Sequence, residues 1–114
     1  LRVLFLDDSA ERIERAYEYF DSDDLVVVVS APSAIDELSK GAFDLVMLDH
    51  DLGGDIWVES DREDCGMEVV RWIVRNFPKI GSVVVHSWNT VAAPVMVEEL
   101  MKAGYDARHE LFNA

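Results

Sequence analysis

The sequence predicts a three-layer αβα fold built on a five-stranded parallel sheet. Three observations predict it. Val3–Leu6, Leu25–Val29, Leu45–Leu48 and Val83–Val85 are apolar runs without polar alternation, the mark of strands covered on both faces. Segments with apolar residues at helical spacing lie between them. Strand and helix therefore alternate along the chain, which gives a parallel sheet with helices on both sides. Two of the runs also stop abruptly at acids, Asp7-Asp8 and Asp49-His50-Asp51.

Residues 1–8 form the first strand. Ser9 caps the first helix, with Arg12 at its third position and Ile13, Ala16, Tyr17 and Phe20 facing inward. Asp21-Ser22-Asp23-Asp24 is a polar turn before the second strand, residues 25–29. Ser30-Ala31-Pro32-Ser33 opens the second helix, whose apolar face is Ala34, Ile35 and Leu38, and Gly41 stops it. The third strand covers residues 43–49.

Residues 51–64 are a long acidic connection holding Gly53, Gly54 and Trp57. A connection of this length in a small domain is usually functional or mobile. It is either a solvated insertion or a lid over the strand ends. The third helix runs from Gly66 to Phe77, with Val69, Val70, Ile73 and Val74 inward and Pro78 beyond its end. Residues 80–87 form the fourth strand, and Thr90–Ala103 the fourth helix, with Pro94 in its first turn. Gly104 ends that helix. Tyr105–Leu111 is a fifth strand of mixed polarity, suited to an edge.

At 114 residues, half of them hydrophobic, the chain is one domain, residues 1–114, with a single core. The formal charge of −13 argues against binding a nucleic-acid duplex or an anionic membrane. Cys65 is the one cysteine, so no internal disulfide forms, and a reduced cytoplasmic setting fits. With no His or Asn near it in sequence, Cys65 reads as an ordinary helix-start residue. No segment reads as a leader or a membrane span.

Right-handed crossovers allow the sheet order 2-1-3-4-5, which is flavodoxin-like. Its switch point lies between strands one and three, and these are the strands that end in acids. Asp7, Asp8, Asp49 and Asp51 then converge, and unpaired they repel, raising at least one pKa. A hard cation, Mg²⁺ or Mn²⁺, relieves that repulsion and bridges phosphoryl oxygens. Asp49 is placed to act as a nucleophile or a ligand. The fourth strand ends in His86-Ser87-Trp88-Asn89. Ser87 and Asn89 can donate to a phosphate oxygen, and His50 and His86 can carry protons. His109 has no such company and reads as structural.

With these residues in view, the chain resembles the receiver domain of two-component response regulators along nearly its whole length. Asp7-Asp8 look like the acidic pair that holds Mg²⁺ in that family. Asp49 looks like its phosphoacceptor, and Ser87 like its hydroxyl residue after strand four. Gly66-Met67-Glu68-Val69-Val70 looks like the start of its third helix. The match departs in three places. The family's Lys at the end of strand five is absent, with Arg108 the nearest stand-in. The chain ends where the family's fifth helix begins. The stretches Leu48-Asp49-His50-Asp51-Leu52-Gly53 and His86-Ser87-Trp88-Asn89 instead look like a divergent branch, the cyclic-phosphate-processing receiver-like domains of phages and prokaryotic conflict systems.

That resemblance implies hydrolysis of a cyclic phosphate. Asp7, Asp8, Asp49 and Asp51 would hold the metal or activate water, His50 and His86 would shuttle protons, and Ser87 and Asn89 would clamp the phosphate. The implied partner is a small phosphorylated or cyclic-phosphate ligand, and the implied state a monomer or weak dimer. Two other readings compete: a stand-alone module phosphorylated on Asp49, and an inert binding protein that keeps only the fold.

Overall fold

In the computed structural model, residues 1–52 and 65–112 are described. They form β1 (Arg2–Leu6), α1 (Ala10–Tyr19), β2 (Asp24–Val28), α2 (Ala31–Lys40), β3 (Phe43–Leu48), α3 (Gly66–Asn76), β4 (Ile80–Val85), α4 (Ala92–Lys102) and β5 (Ala107–His109). The strands are all parallel, in the order β2-β1-β3-β4-β5, as expected. The connection at 51–64, with Gly53, Gly54 and Trp57, lies outside the described residues from position 53 onward.

Side chains alternate across each strand, so the two faces of the sheet can be read from residue parity. Val3 and Phe5 of β1, Met47 of β3 and Val84 of β4 pack with Ala16 and Phe20, at α1, and with Phe112. Leu4, Leu6, Val46, Leu48, Val83 and Val85 face the other way. They pack against Ala34 and Leu38 of α2, Val69 and Ile73 of α3, and Met96 and Leu100 of α4. Burial on both sides explains why these strands show no polar alternation.

The helix signals acted as expected. The Ser9 side chain accepts from the Arg12 N–H, and the Ser30 side chain from the Ser33 N–H. Phe77 closes α3 in the left-handed conformation, φ 49°, before Pro78. Gly41 ends α2 in extended backbone.

Three expectations need correction. Tyr17 does not face inward: it is 56% exposed, and Phe20 takes the buried place. The fifth strand shrinks to three residues, because only Ala107–His109 find partners along β4. Arg108, the nearest stand-in for the family's Lys, is engaged by Glu110 instead, its Nε donating to Glu110 Oε2 at 2.9 Å.

Candidate functional site

The register of the sheet builds the site. Leu6 of β1 pairs with Leu48 of β3, and Leu48 with Val85 of β4. The next residue on each strand is Asp7, Asp49 and His86. Their N–H groups keep bonding to the neighbouring strand: Asp7 to the Val28 carbonyl at 3.1 Å, Asp49 to Leu6 at 3.1 Å, and His86 to Leu48 at 2.9 Å. These three therefore stand in one row at the carboxyl edge, the side of a parallel sheet where ligands collect.

Parity puts that row on the face of α1. His86 confirms it by stacking on Phe5, with ring centroids 5.0 Å apart and planes 5° from parallel. The following row, with His50 and Ser87, belongs to the α3–α4 face. His50 there shares a hydrogen bond with Cys65, at the start of α3, and lies against Asn89, before α4. The two imidazoles thus serve opposite faces of the sheet.

Asp7, Asp8 and Asp49 each offer a carboxylate oxygen, all within 4.8 Å of one another. Asp7 and Asp49 are buried and Asp8 is half-buried. Burial, together with the charge on Asp7, pushes the Asp49 carboxyl up to about 7, and Arg12 only partly offsets this. An all-oxygen set with two buried carboxylates fits a hard divalent cation such as Mg²⁺ or Mn²⁺. His86 adds a further sign of fit. Its Nε2 donates to the Leu6 carbonyl at 3.1 Å, while its buried Nδ1 has no hydrogen-bond partner. That Nδ1 lies 3.6 Å from Asp7 Oδ2. Burial lowers the His86 pKa to about 4, so the ring is neutral and Nδ1 is an acceptor.

Asp51 is not in the three-carboxylate cluster. Its Oδ1 meets His50 Nδ1 at 3.0 Å and accepts from Asn89 Nδ2 at 3.1 Å. Burial lowers the His50 pKa, but the hydrogen bonds to Cys65 and Asp51 outweigh it and the net shift is upward. Burial raises the Cys65 thiol, yet the His50 bond and the N–H groups of Glu68 and Met67 bring it below its ordinary value. Cys65 therefore does have a histidine partner, delivered by the fold and not by the sequence neighbourhood.

Asn89 is already engaged. Its Oδ1 accepts from the Val91 N–H at 3.1 Å and the Ala92 N–H at 2.9 Å, which caps α4, while its Nδ2 holds Asp51. Ser87 Oγ accepts from the Asn89 N–H at 3.0 Å, leaving its O–H to donate elsewhere. His109 supports Ser87 from β5, with Nε2 2.8 Å from its carbonyl oxygen.

Sequence reasoning missed Arg12 as a site residue. Its Nε donates to Asp7 Oδ2 at 2.6 Å and its Nη2 to Asp7 Oδ1 at 3.1 Å. Nη2 also lies 3.7 Å from Asp49 Oδ2. The available signal was an arginine five residues after an acid that ends a strand, one turn into a capped helix.

A hollow of about 570 Å³ lies elsewhere, between Tyr19, Phe20, Met47 and Phe112 on the α1 face. The acid cluster is not part of its walls, so the chemistry and this hollow do not coincide.

The family model described as the cyclic-phosphate processing receiver domain matches residues 2–102. The chain belongs to that family. Among solved structures, this member is similar to the signal receiver domain of a protein assigned as a Luxo repressor from Vibrio parahaemolyticus. The two are 25% identical with a TM-score of 0.66, over 99% of this chain and 82% of that one. A CheY-like response regulator receiver domain from Methanospirillum hungatei JF-1 is 14% identical, with a TM-score of 0.68 over 99% and 82%. The receiver domain of the Francisella response regulator 1452 is 16% identical, with a TM-score of 0.68 over 97% and 84%. These likenesses establish the receiver fold. Among curated proteins, none is similar enough in sequence to count as a relative. Among the described residues, no helix is long and apolar enough to cross a membrane.

Proposed function

We propose that this receiver-family domain holds Mg²⁺ or Mn²⁺ on Asp7, Asp8 and Asp49 and hydrolyses a small cyclic phosphate. The observation that carries the reading is the trio of carboxylates within 4.8 Å at the sheet edge, with two of the three buried. The cation, when bound, supplies charge neutralisation at the phosphoryl oxygens. We assign the proton transfer between water and the ring oxygen to His50, which Asp51 orients at the same carboxyl edge from the α3–α4 side. Ser87 keeps an O–H to donate to a phosphate oxygen. His86 sits behind Asp7, and its neutral ring suits an acceptor better than an acid. Asp51 orients His50 here and is not a ligand; Asn89 holds Asp51 in place.

On this reading the partner is a small phosphorylated or cyclic-phosphate ligand. The net charge of −13 disfavours a nucleic-acid duplex. The domain acts as a monomer or weak dimer in the cytoplasm. The test is a phosphorus NMR screen of cyclic-phosphate compounds with Mg²⁺ and with Mn²⁺. Conversion of at least one compound is expected, and Asp49→Asn abolishes it while the fold persists.

A second reading is a signalling receiver phosphorylated on Asp49. The fold shared with receiver domains favours it, as does the place of Asp49 at the end of β3. It predicts that acetyl phosphate with Mg²⁺ adds a phosphoryl mass to Asp49. That result, with no cyclic phosphate converted, would select the second reading over the first.

A further inference from the structure

We infer that Arg12 is the resident counter-ion of the acid cluster, and that on cation binding it leaves Asp7 and becomes the donor fork for the phosphate oxygens. This rests on the phosphate-binding reading above.

The bonds define the competition. Asp7 Oδ1 accepts from the Ser9 N–H at 2.8 Å and from Arg12 Nη2 at 3.1 Å. Asp7 Oδ2 accepts from Arg12 Nε at 2.6 Å. A carboxylate oxygen offers about two lone-pair sites, so Oδ1 is filled and Oδ2 is half used. A divalent cation on Asp7 needs the same oxygens, and its charge repels the guanidinium. Oδ2 keeps one lone pair, so it is chiefly the repulsion between the two positive charges that sets Arg12 and the cation in competition at Asp7. At Asp49, 3.7 Å from Nη2, Arg12 contributes charge without a hydrogen bond.

Displacement leaves Arg12 close by. Its backbone is fixed in the first turn of α1 by the Ser9 cap, while its side chain is 27% exposed at the rim of the cluster. A released guanidinium presents a planar set of N–H donors that matches two phosphate oxygens at once. Such a fork would add to the single Ser87 O–H, while the Asn89 Nδ2 holds Asp51 and its Oδ1 the start of α4.

A second observation separates a ligand site from a plain structural ion pair. The buried Nδ1 of His86 faces Asp7 Oδ2 at 3.6 Å and has no partner. Arg12 donates to Asp7 and leaves that acceptor unsatisfied. A proton-bearing ligand group or a coordinated water would satisfy it.

The test measures Mn²⁺ binding calorimetrically for wild type and Arg12→Gln, then inorganic phosphate binding to each protein loaded with Mn²⁺. Thermal melts establish that each variant is folded. Arg12→Gln is expected to bind Mn²⁺ about tenfold more tightly, because a competing cation is gone, and phosphate at least tenfold more weakly. Arg12→Lys keeps a mobile charge without the fork. It is expected to bind Mn²⁺ like wild type and phosphate several-fold more weakly. Equal or weaker Mn²⁺ binding by folded Arg12→Gln would make the pair structural and overturn the inference. Phosphate binding unchanged in Arg12→Lys would overturn it too, even if Arg12→Gln does not fold. Wild type that binds neither Mn²⁺ nor phosphate overturns the phosphate reading itself, an outcome distinct from both.

Discussion

A Cβ placed on Gly66 would lie 1.9 Å from the carbonyl oxygen of Asp49. The Gly66 N–H also donates to the His50 carbonyl at 2.9 Å. The start of α3 therefore rests directly on the backbone that carries Asp49 and His50, and only glycine allows that approach. Gly66→Ala must push α3 off β3 or shift the peptide between Asp49 and His50. The expected cost is about 3 kcal/mol, in the range of overpacked cores, read from urea denaturation. Cation affinity should fall in parallel. A variant with wild-type stability and wild-type Mn²⁺ binding would show that the site tolerates movement here.

Asp49 makes the cation-free protein pH-dependent with a definite sign. Its folded pKa of about 7 stands above its ordinary 3.8. The folded state thus holds this proton more tightly than the unfolded chain does. The resulting stability is fully present below pH 4 and is lost as the pH rises through 7. The loss is roughly 2–4 kcal/mol at pH 8, from about 1.4 kcal/mol per pKa unit, discounted for relaxation. In chelator at pH 8, Asp49→Asn should therefore be more stable than wild type by an amount of that order. Added Mg²⁺ should raise the wild-type melting temperature and leave the variant much less affected. A less stable Asp49→Asn at pH 8 would contradict the account.

The rows at the strand ends explain what the sequence could and could not reveal. Leu6-Asp7 and Leu48-Asp49 were legible because the apolar runs stop at the acids, and the sheet order places those strands side by side. Parity along β4 would also have put His86 on the Asp7 face and Ser87 on the other. The pairing of Arg12 with Asp7 was hidden by the strand-to-helix turn, across which neither period applies. The contact between His50 and Cys65 depends on how the chain returns after residue 64, which no local pattern encodes. Asn89 reads as a polar residue near a phosphate in sequence. Only the placement of Val91, Ala92 and Asp51 shows that its amide is committed.

His86 supplies an opposite limb to the pH profile. Burial takes its pKa to about 4 from an ordinary 6.5, so the fold excludes the proton that the unfolded chain accepts. Its contribution is fully present above pH 6.5 and is lost as the pH falls through 4, by about 3 kcal/mol. Asp49 protonation acts in the opposite direction over an overlapping range, so the measurement belongs in the Asp49→Asn background. There, stability should fall between pH 6.5 and 4. Adding His86→Phe should flatten that fall, since a phenyl ring keeps the stack on Phe5 and carries no titrating nitrogen. An unchanged acid limb in the double variant would assign the titration to another group.

Asn89 divides into two jobs that substitution can separate. Its Oδ1 caps α4, and its Nδ2 holds Asp51 beside His50. Asn89→Ala removes both and should cost about 1–2 kcal/mol, the usual value of a lost helix cap. Asn89→Asp keeps an oxygen for the Val91 and Ala92 N–H groups, and a negative charge suits a helix N-terminus. It also sets that charge against Asp51 and His50. The imidazolium form of His50 should gain from the extra anion, so its ring titration moves to higher pH in Asn89→Asp, followed by NMR of the ring protons. Stability should stay closer to wild type than in the alanine variant. If the His50 titration does not move in Asn89→Asp, then Asn89 does not share the environment of the His50–Asp51 pair, and its place in the site reduces to the cap.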